Sequence, residues 1–220
     1  MTRLAAWAGR NRVYRPDGPC VKVNVGSGLA VAHGWLNVDG SLNAFFSRWP
    51  LLLRITYRIS GCRVRFTEDE YIRILNGHRF LYHNVLYGLP FPDECIDYVY
   101  CSHLLEHLTE KDGEHFLGEA YRVLKKGGVI RLSVPDLAYA VKLYQGGDKP
   151  RALELIFSNT ESLLYRHSYM YDFDILRQAL HGVGFADVDN TGYREGRTPD
   201  IELLDNRPEQ SLFVEAVKPT

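Results

Sequence analysis

Residues 21–40 read VKVNVGSGLAVAHGWLNVDG, and the fold is decided in this stretch. Val21, Val23 and Val25 alternate with Lys22 and Asn24, the period-2 pattern of a short strand with one buried face. The strand runs into Gly26-Ser27-Gly28, where a missing Cβ lets the backbone turn sharply and a ligand come close. A second apolar run, Trp35 to Val38, ends in Asp39. A strand, a glycine turn and an acid closing the next strand form the nucleotide-binding arrangement of an open α/β sheet. The glycines cradle the body of the ligand and the carboxylate accepts from ribose hydroxyls. Two glycines alone specify little, and the acid at the end of the second strand gives them meaning. Only six residues separate Gly28 from Trp35. Crossovers between parallel strands usually need about a dozen or more, so this one holds one helical turn at most.

A chain of 220 residues is one α/β domain in size and long enough to bury a core. Apolar residues are 45% and charged residues 24% of the chain, ordinary for a globular protein. A formal charge of −1 gives no reason to expect nucleic acid as partner. Cys20, Cys62, Cys95 and Cys101 lack the paired spacing of a zinc or redox site and read as reduced thiols of a cytoplasmic protein. The opening MTRLAAWAGRNR has a five-residue apolar run, too short for a signal peptide. No stretch has the length of a membrane span.

Residues 1–19 predict an N-terminal arm, with Leu4, Ala5, Trp7 and Ala8 available for packing, and 20–220 a single domain. Residues 41–78 are a helical insertion, dense in Leu42, Phe45, Phe46, Trp49, Leu51, Leu52, Leu53, Ile55, Tyr57 and Ile59. It is either a lid or pocket wall, or a helical pair completing one face of the sheet. Strands are expected at Phe80–Val85, Cys95–Cys101, Val129–Val134, Phe185–Asn190 and Leu212–Val217. Helices are expected from Ser102, over Glu114–Lys126, Leu137–Tyr144 and Arg151–Leu164, and over Ile175–Leu180 with Asp172 as cap. Lys125 and Lys126 suit the negative end of their helix and Gly127 its close. The connection from Thr191 to Gln210 is long and polar, which marks it as a candidate functional loop.

NVGSG, NVDG, LPFPDECIDYVYCSHLLEHL and EAYRVLKKGGVIRLSVPDL follow one another in one order at one spacing. As a set they resemble the class I S-adenosylmethionine-dependent methyltransferases, in particular the type 11-like branch whose members often serve polysaccharide and glycan biosynthesis. The resemblance covers residues 20–140, and HSYMYDFDILRQALHGVGF with SLFVEAVK is similar to the tail of the same branch. It implies a Rossmann-like, seven-stranded mixed sheet with helices on both faces and the last strand antiparallel. S-adenosylmethionine would lie outside the carboxyl ends of the strands, where the strand order reverses. Asn24, Val25, Gly26, Ser27 and Gly28 would pass under its methionine part, Asp39 would bind the ribose, and Asn84 the adenine amino group. Val85 and Ser102 complete the implied cofactor contacts.

Methyl transfer is an in-line attack on a sulfonium methyl, so alignment and desolvation carry most of the catalysis. A hydroxyl acceptor must also lose a proton, which suits a histidine. His103, just past the fourth strand, is the first candidate base. Asp136, just past the fifth, is the second, with helix capping as its other reading. His107, Arg166, His167, Tyr169 and Tyr171 are candidate acceptor contacts, and Glu195 and Arg197 further lining. HLLEH at 103–107 also matches the H-x-x-E-H zinc-protease signature. No third ligand stands at motif spacing, so no metal is expected.

The sequence thus predicts O-methylation of a sugar or glycan hydroxyl, with a small-molecule or glycan acceptor. N- or O-methylation of a small secondary metabolite is the alternative, and a non-catalytic methyltransferase-like binding domain a second one. A dinucleotide oxidoreductase would need a third glycine and an acid about 20 residues on, and both are missing.

Overall fold

The computed structural model describes residues 11–158 and 166–220. Leu4, Ala5, Trp7 and Ala8 of the predicted arm, and the end of the helix expected over Arg151–Leu164, lie outside these residues.

Seven strands form one sheet. β1 (Lys22–Val25), β2 (Trp35–Asp39), β3 (Arg79–Tyr82), β4 (Ile96–Ser102), β5 (Leu124–Pro135), β6 (Ala186–Thr191) and β7 (Ser211–Val217) lie in the order β3-β2-β1-β4-β5-β7-β6. β1 through β5 pair in parallel, and β7 runs antiparallel to both β5 and β6. The order reverses between β1 and β4, the position at which open α/β sheets take their ligands, outside the carboxyl ends of the strands. Because β7 is antiparallel, its first residue, Ser211, sits opposite Pro135 at that same edge.

The helices are α1 (Leu42–Phe46), α2 (Leu53–Ile59), α3 (Glu68–Gly77), α4 (Glu110–Val123), α5 (Leu137–Gln145), α6 (Lys149–Phe157), α7 (Phe173–Val183) and α8 (Ile201–Leu204). One face of the sheet presents Val23, Val25, Val99, Cys101, Ile130, Leu132, Val214 and Ala216 to Phe116, Leu117 and Ala120 of α4 and Leu176 and Leu180 of α7. The Val, Leu, Ile and Phe side chains among them contribute roughly 1.5–3 kcal/mol each when fully buried, and this apolar face is the main core. The other face carries Phe80, Asn37, Asn24, Tyr100, Arg131 and Glu215 in register across the strands. Its cover is uneven. Tyr71 and Leu75 of α3 pack near Phe80, so this part of the insertion completes a sheet face. Leu204 of α8 packs with Trp35 and Tyr100. The outer side of the insertion exposes Leu51, Ile55, Ile59 and Val64.

Several boundaries differ from the sequence reading for identifiable reasons. The third strand stops at Tyr82, because the Asn84 side chain accepts from Leu86 N and turns Val85–Tyr87 into a 3₁₀ turn. No α-helix begins at Ser102: His103 takes a left-handed φ of +51° and Leu105–His107 form a 3₁₀ turn. The helix starts at Glu110, where the Thr109 hydroxyl accepts from Asp112 N. It ends at Val123, so Lys125 and Lys126 belong to β5 and Lys125 pairs with Asp97 instead of a helix terminus. The connection from Thr191 to Gln210 is not a free loop. It is pinned by Arg131, which donates to the carbonyls of Gly192 and Glu195 and to the Asp205 carboxylate. Glu195 and Arg197 are therefore tied at the β7–β6 side through their backbones, and do not line an acceptor pocket with the histidines.

Candidate functional site

The glycine turn is held from both sides. Gly26 N donates to Val38 O, and Gly28 N donates to Asp39 Oδ2 at 2.8 Å. Asp39 Oδ1 accepts from Ser41 N at 2.7 Å, so one carboxylate ties the exits of β1 and β2 together. Each oxygen keeps a further lone pair for a ligand hydroxyl. Gly26 has φ +70°, and a Cβ there would come within 2.9 Å of the Leu104 side chain, so the segment after β4 packs directly on the turn. Gly28 has φ +51° with nothing within 4 Å of a built Cβ. Beside it the Ser27 hydroxyl is buried with no partner among the described residues. An open glycine and an orphaned hydroxyl fit a ligand passing over this turn.

The other cofactor candidates are distributed unevenly. Asn24 is buried and donates both amide hydrogens inward, to Ala30 O and Asn37 Oδ1. Asn84 accepts from Leu86 N, and Val85 is buried under the following turn. Ser102 Oγ accepts from Asn206 at the end of β4.

Beyond Ser102 the left-handed His103 turns its ring back toward the sheet edge. The His103 backbone N–H donates to Ser133 O at 2.8 Å. Nδ1 lies 3.2 Å from Glu106 Oε1, and Nε2 lies 3.2 Å from Ser211 Oγ. Nδ1–H donates to the carboxylate, which leaves Nε2 to accept from the serine hydroxyl. Glu106 is 1% exposed. Its backbone carbonyl accepts from Ser168 N and Tyr169 N, which lays residues 166–169 along the turn. His107 Nδ1 thereby meets Arg166 O, and the His107 and His167 rings stand edge to face with centroids 5.2 Å apart. Burial depresses the pKa of His167, and the Glu106 charge opposes that shift.

Residues 52–132 match the family model described as a methyltransferase domain. A protein of Mycolicibacterium smegmatis, named for S-adenosylmethionine-dependent methyltransferase activity, is 31% identical over 143 residues, 63% of this chain and 53% of its own length. The ubiquinone/menaquinone biosynthesis C-methyltransferase UbiE of Escherichia fergusonii is 34% identical over 111 residues, 46% of this chain and 43% of its own. The chain spans about half the length of these curated relatives. Across the whole domain, the solved structure of an S-adenosylmethionine-dependent methyltransferase from Thermotoga maritima superposes with a TM-score of 0.54 at 16% identity. That superposition covers 99% of this chain and 90% of the other. The fold is a methyltransferase fold.

Within the methyltransferase fold, the family match carries β4, the HLLEH turn and most of β5, and starts after the glycine turn. The structure brings His103, His107 and His167 around Glu106. It separates Tyr169 and Tyr171 from them. Tyr169 donates to Glu110 at 2.9 Å and Tyr171 packs against Gly113. Both line a cleft of about 410 Å³ between α4 and α7, together with Glu110, Glu114 and Gln178. The Arg166 side chain is exposed. Asp136 caps α5, accepting from Ala138 N at 2.9 Å. Sequence reasoning gave no role to Ser211, although SLFVEAVK begins with it, nor to Glu106, although HLLEH contains it.

Proposed function

We propose that this protein is an S-adenosylmethionine-dependent methyltransferase that acts on a hydroxyl, with a sugar or glycan as acceptor. The Ser211–His103–Glu106 line at the carboxyl edge, one residue from the side chain that packs on the glycine turn, carries the reading. Gly26, Ser27 and Gly28 receive the cofactor and Asp39 accepts from its ribose, and the orphaned Ser27 hydroxyl supports that placement. The cofactor, when bound, supplies an electrophilic methyl group. His103 Nε2 removes the acceptor proton, directly or through the Ser211 hydroxyl. Glu106 holds the Nδ1 tautomer and offsets the imidazolium that forms. Asp136, engaged as a cap, is left to position α5. The cleft supports a glycan: the partly exposed Tyr169 ring can stack on a sugar ring, while Glu110 and Glu114 can accept from its hydroxyls.

Transfer of a labelled methyl group to a panel of sugar hydroxyl acceptors tests this, with wild type and His103→Ala side by side. General-base removal costs about 10²- to 10⁴-fold, so kcat should fall by that order while affinity for S-adenosylhomocysteine stays unchanged. Near wild-type turnover of the variant across pH 6 to 9 would exclude His103 as base. Labelling of a quinol carbon in place of any sugar would move the reading to the chemistry named for UbiE.

A further inference from the structure

We infer that Glu106, His107 and His167 form a binding site for a divalent ion of the zinc class. Each offers one ligand atom, and these atoms lie within 4.8 Å of one another. Glu106 Oε1 is 3.9 Å from His107 Nε2. His107 Nδ1 lies 3.0 Å from Arg166 O, and His167 Nδ1 lies 2.8 Å from Leu155 O. A carbonyl oxygen only accepts, so both Nδ1 atoms carry the proton and both Nε2 atoms hold a lone pair in the neutral rings. Backbone carbonyls fixing imidazoles in this way are the outer support of metal-ligating histidines.

The carboxylate adds an independent observation. Glu106 is nine-tenths buried and more, and its Oε2 has no hydrogen-bond partner among the described residues. A buried carboxylate oxygen without a donor is costly, and a cation bound to this carboxylate would offset that cost. Around a tetrahedral zinc with bonds of about 2.0–2.2 Å, ligand atoms stand about 3.3–3.5 Å apart. The three atoms reach that spacing by side-chain shifts on the order of 1 Å. Two imidazoles and one carboxylate with an open position suit zinc better than magnesium or calcium, which favour oxygen.

The sequence places Glu106 and His107 together but leaves the third ligand invisible. His167 arrives because Ser168 N and Tyr169 N both bond to Glu106 O. The site stands on these contacts alone, whether or not methyl transfer is the activity. A function for the open coordination position, lowering the pKa of a bound acceptor hydroxyl as zinc does for water, rests on the reading above.

The test is titration of the whole chain, stripped with a chelator, with zinc alone in competition with a chromophoric chelator. One equivalent should bind to wild type. His107→Ala and His167→Ala should each weaken binding by more than the 10- to 100-fold that removing an outer partner costs. Zinc should raise the melting temperature of wild type and leave that of the double variant unmoved, with both folded by circular dichroism. Cobalt(II) should give the intense visible bands of low coordination only in wild type. Titration of S-adenosylhomocysteine into the same samples reads the cofactor site separately. An absence of saturable zinc binding, or zinc bound equally by the double variant, overturns the site.

Discussion

Arg131 in the middle of β5 and Glu106 in the turn after β4 are both buried charges, and they are served very differently. Arg131 donates to both oxygens of Asp205 and to Glu215, Thr191 Oγ1, Gly192 O and Glu195 O. Asp205 and Glu215 in turn accept from the backbone of Arg194, Arg197 and Thr198. The group spans three strands and a loop, and each of its charged side chains is paired. Glu106 shares one oxygen with His103 and lacks a partner at the other. A completed network fixes a fold, whereas a buried charge left part-satisfied is costly and calls for an explanation. The Arg131 group thus holds the long loop after β6 in place, while the turn after β4 keeps a buried carboxylate oxygen without a partner among the described residues.

The largest expected effect breaks the first member of the pair. Arg131→Met leaves two carboxylates buried without a counter-charge. Removing one partner of a buried pair costs about 3–5 kcal/mol. Denaturant unfolding should show a loss of that size, with α8 and the 192–210 segment losing protection from hydrogen exchange. A variant as stable as wild type would mean that the network is not what holds the loop.

Asp39→Ala should act next, and on binding before stability. It removes a carboxylate that accepts from Gly28 N and Ser41 N and, in the proposed complex, from ribose hydroxyls. Hydrogen bonds to a charged group are worth roughly 1.5–3 kcal/mol each. Calorimetric titration with S-adenosylhomocysteine should show affinity falling at least tenfold, and unchanged affinity would remove the ribose role.

The smaller effect concerns pH. His83 is buried, and burial depresses its pKa, while its bond to Gly88 O opposes the shift. The folded state therefore binds this proton less readily than the unfolded chain, whose histidines titrate near 6.5. The resulting stability is complete above about pH 6.5 and is lost as pH falls from there toward the folded pKa. Stability measured from pH 7.5 to 5 should decline, and His83→Gln should flatten part of that decline. A slope identical in the variant would assign the acid loss to other groups.

What could be read in the sequence was local. β1, the glycine turn and β2 are set by neighbours a few residues apart, and alternation with the glycines sufficed to place both strands. The order of motifs gave the sheet and its antiparallel last strand. What escaped depends on contacts between distant residues. Arg131 is an ordinary cation in an alternating strand until Asp205 and Glu215, 74 and 84 positions on, fold over it. The HLLEH pentapeptide looks helical because its letters fit a helix, but the left-handed His103, bonded to Ser133 O, breaks the pattern. His167 and Ser211, the one before α7 and the other after it in the chain, are brought beside Glu106 and His103 by backbone pairing, which the quoted stretches do not specify. Tyr169 and Tyr171, read as companions of the histidines, instead pack onto α4.

The central claim is that Glu106 is kept buried and part-satisfied for function at the expense of stability. Glu106→Gln tests it without knowing the acceptor, by thermal unfolding beside wild type and Arg131→Met, with S-adenosylhomocysteine binding as a control. The account predicts a Glu106→Gln melting temperature at or above that of wild type, cofactor affinity intact, and loss of zinc binding and of methyl transfer. A fall in melting temperature as large as that of Arg131→Met would make Glu106 a second structural ion and contradict it.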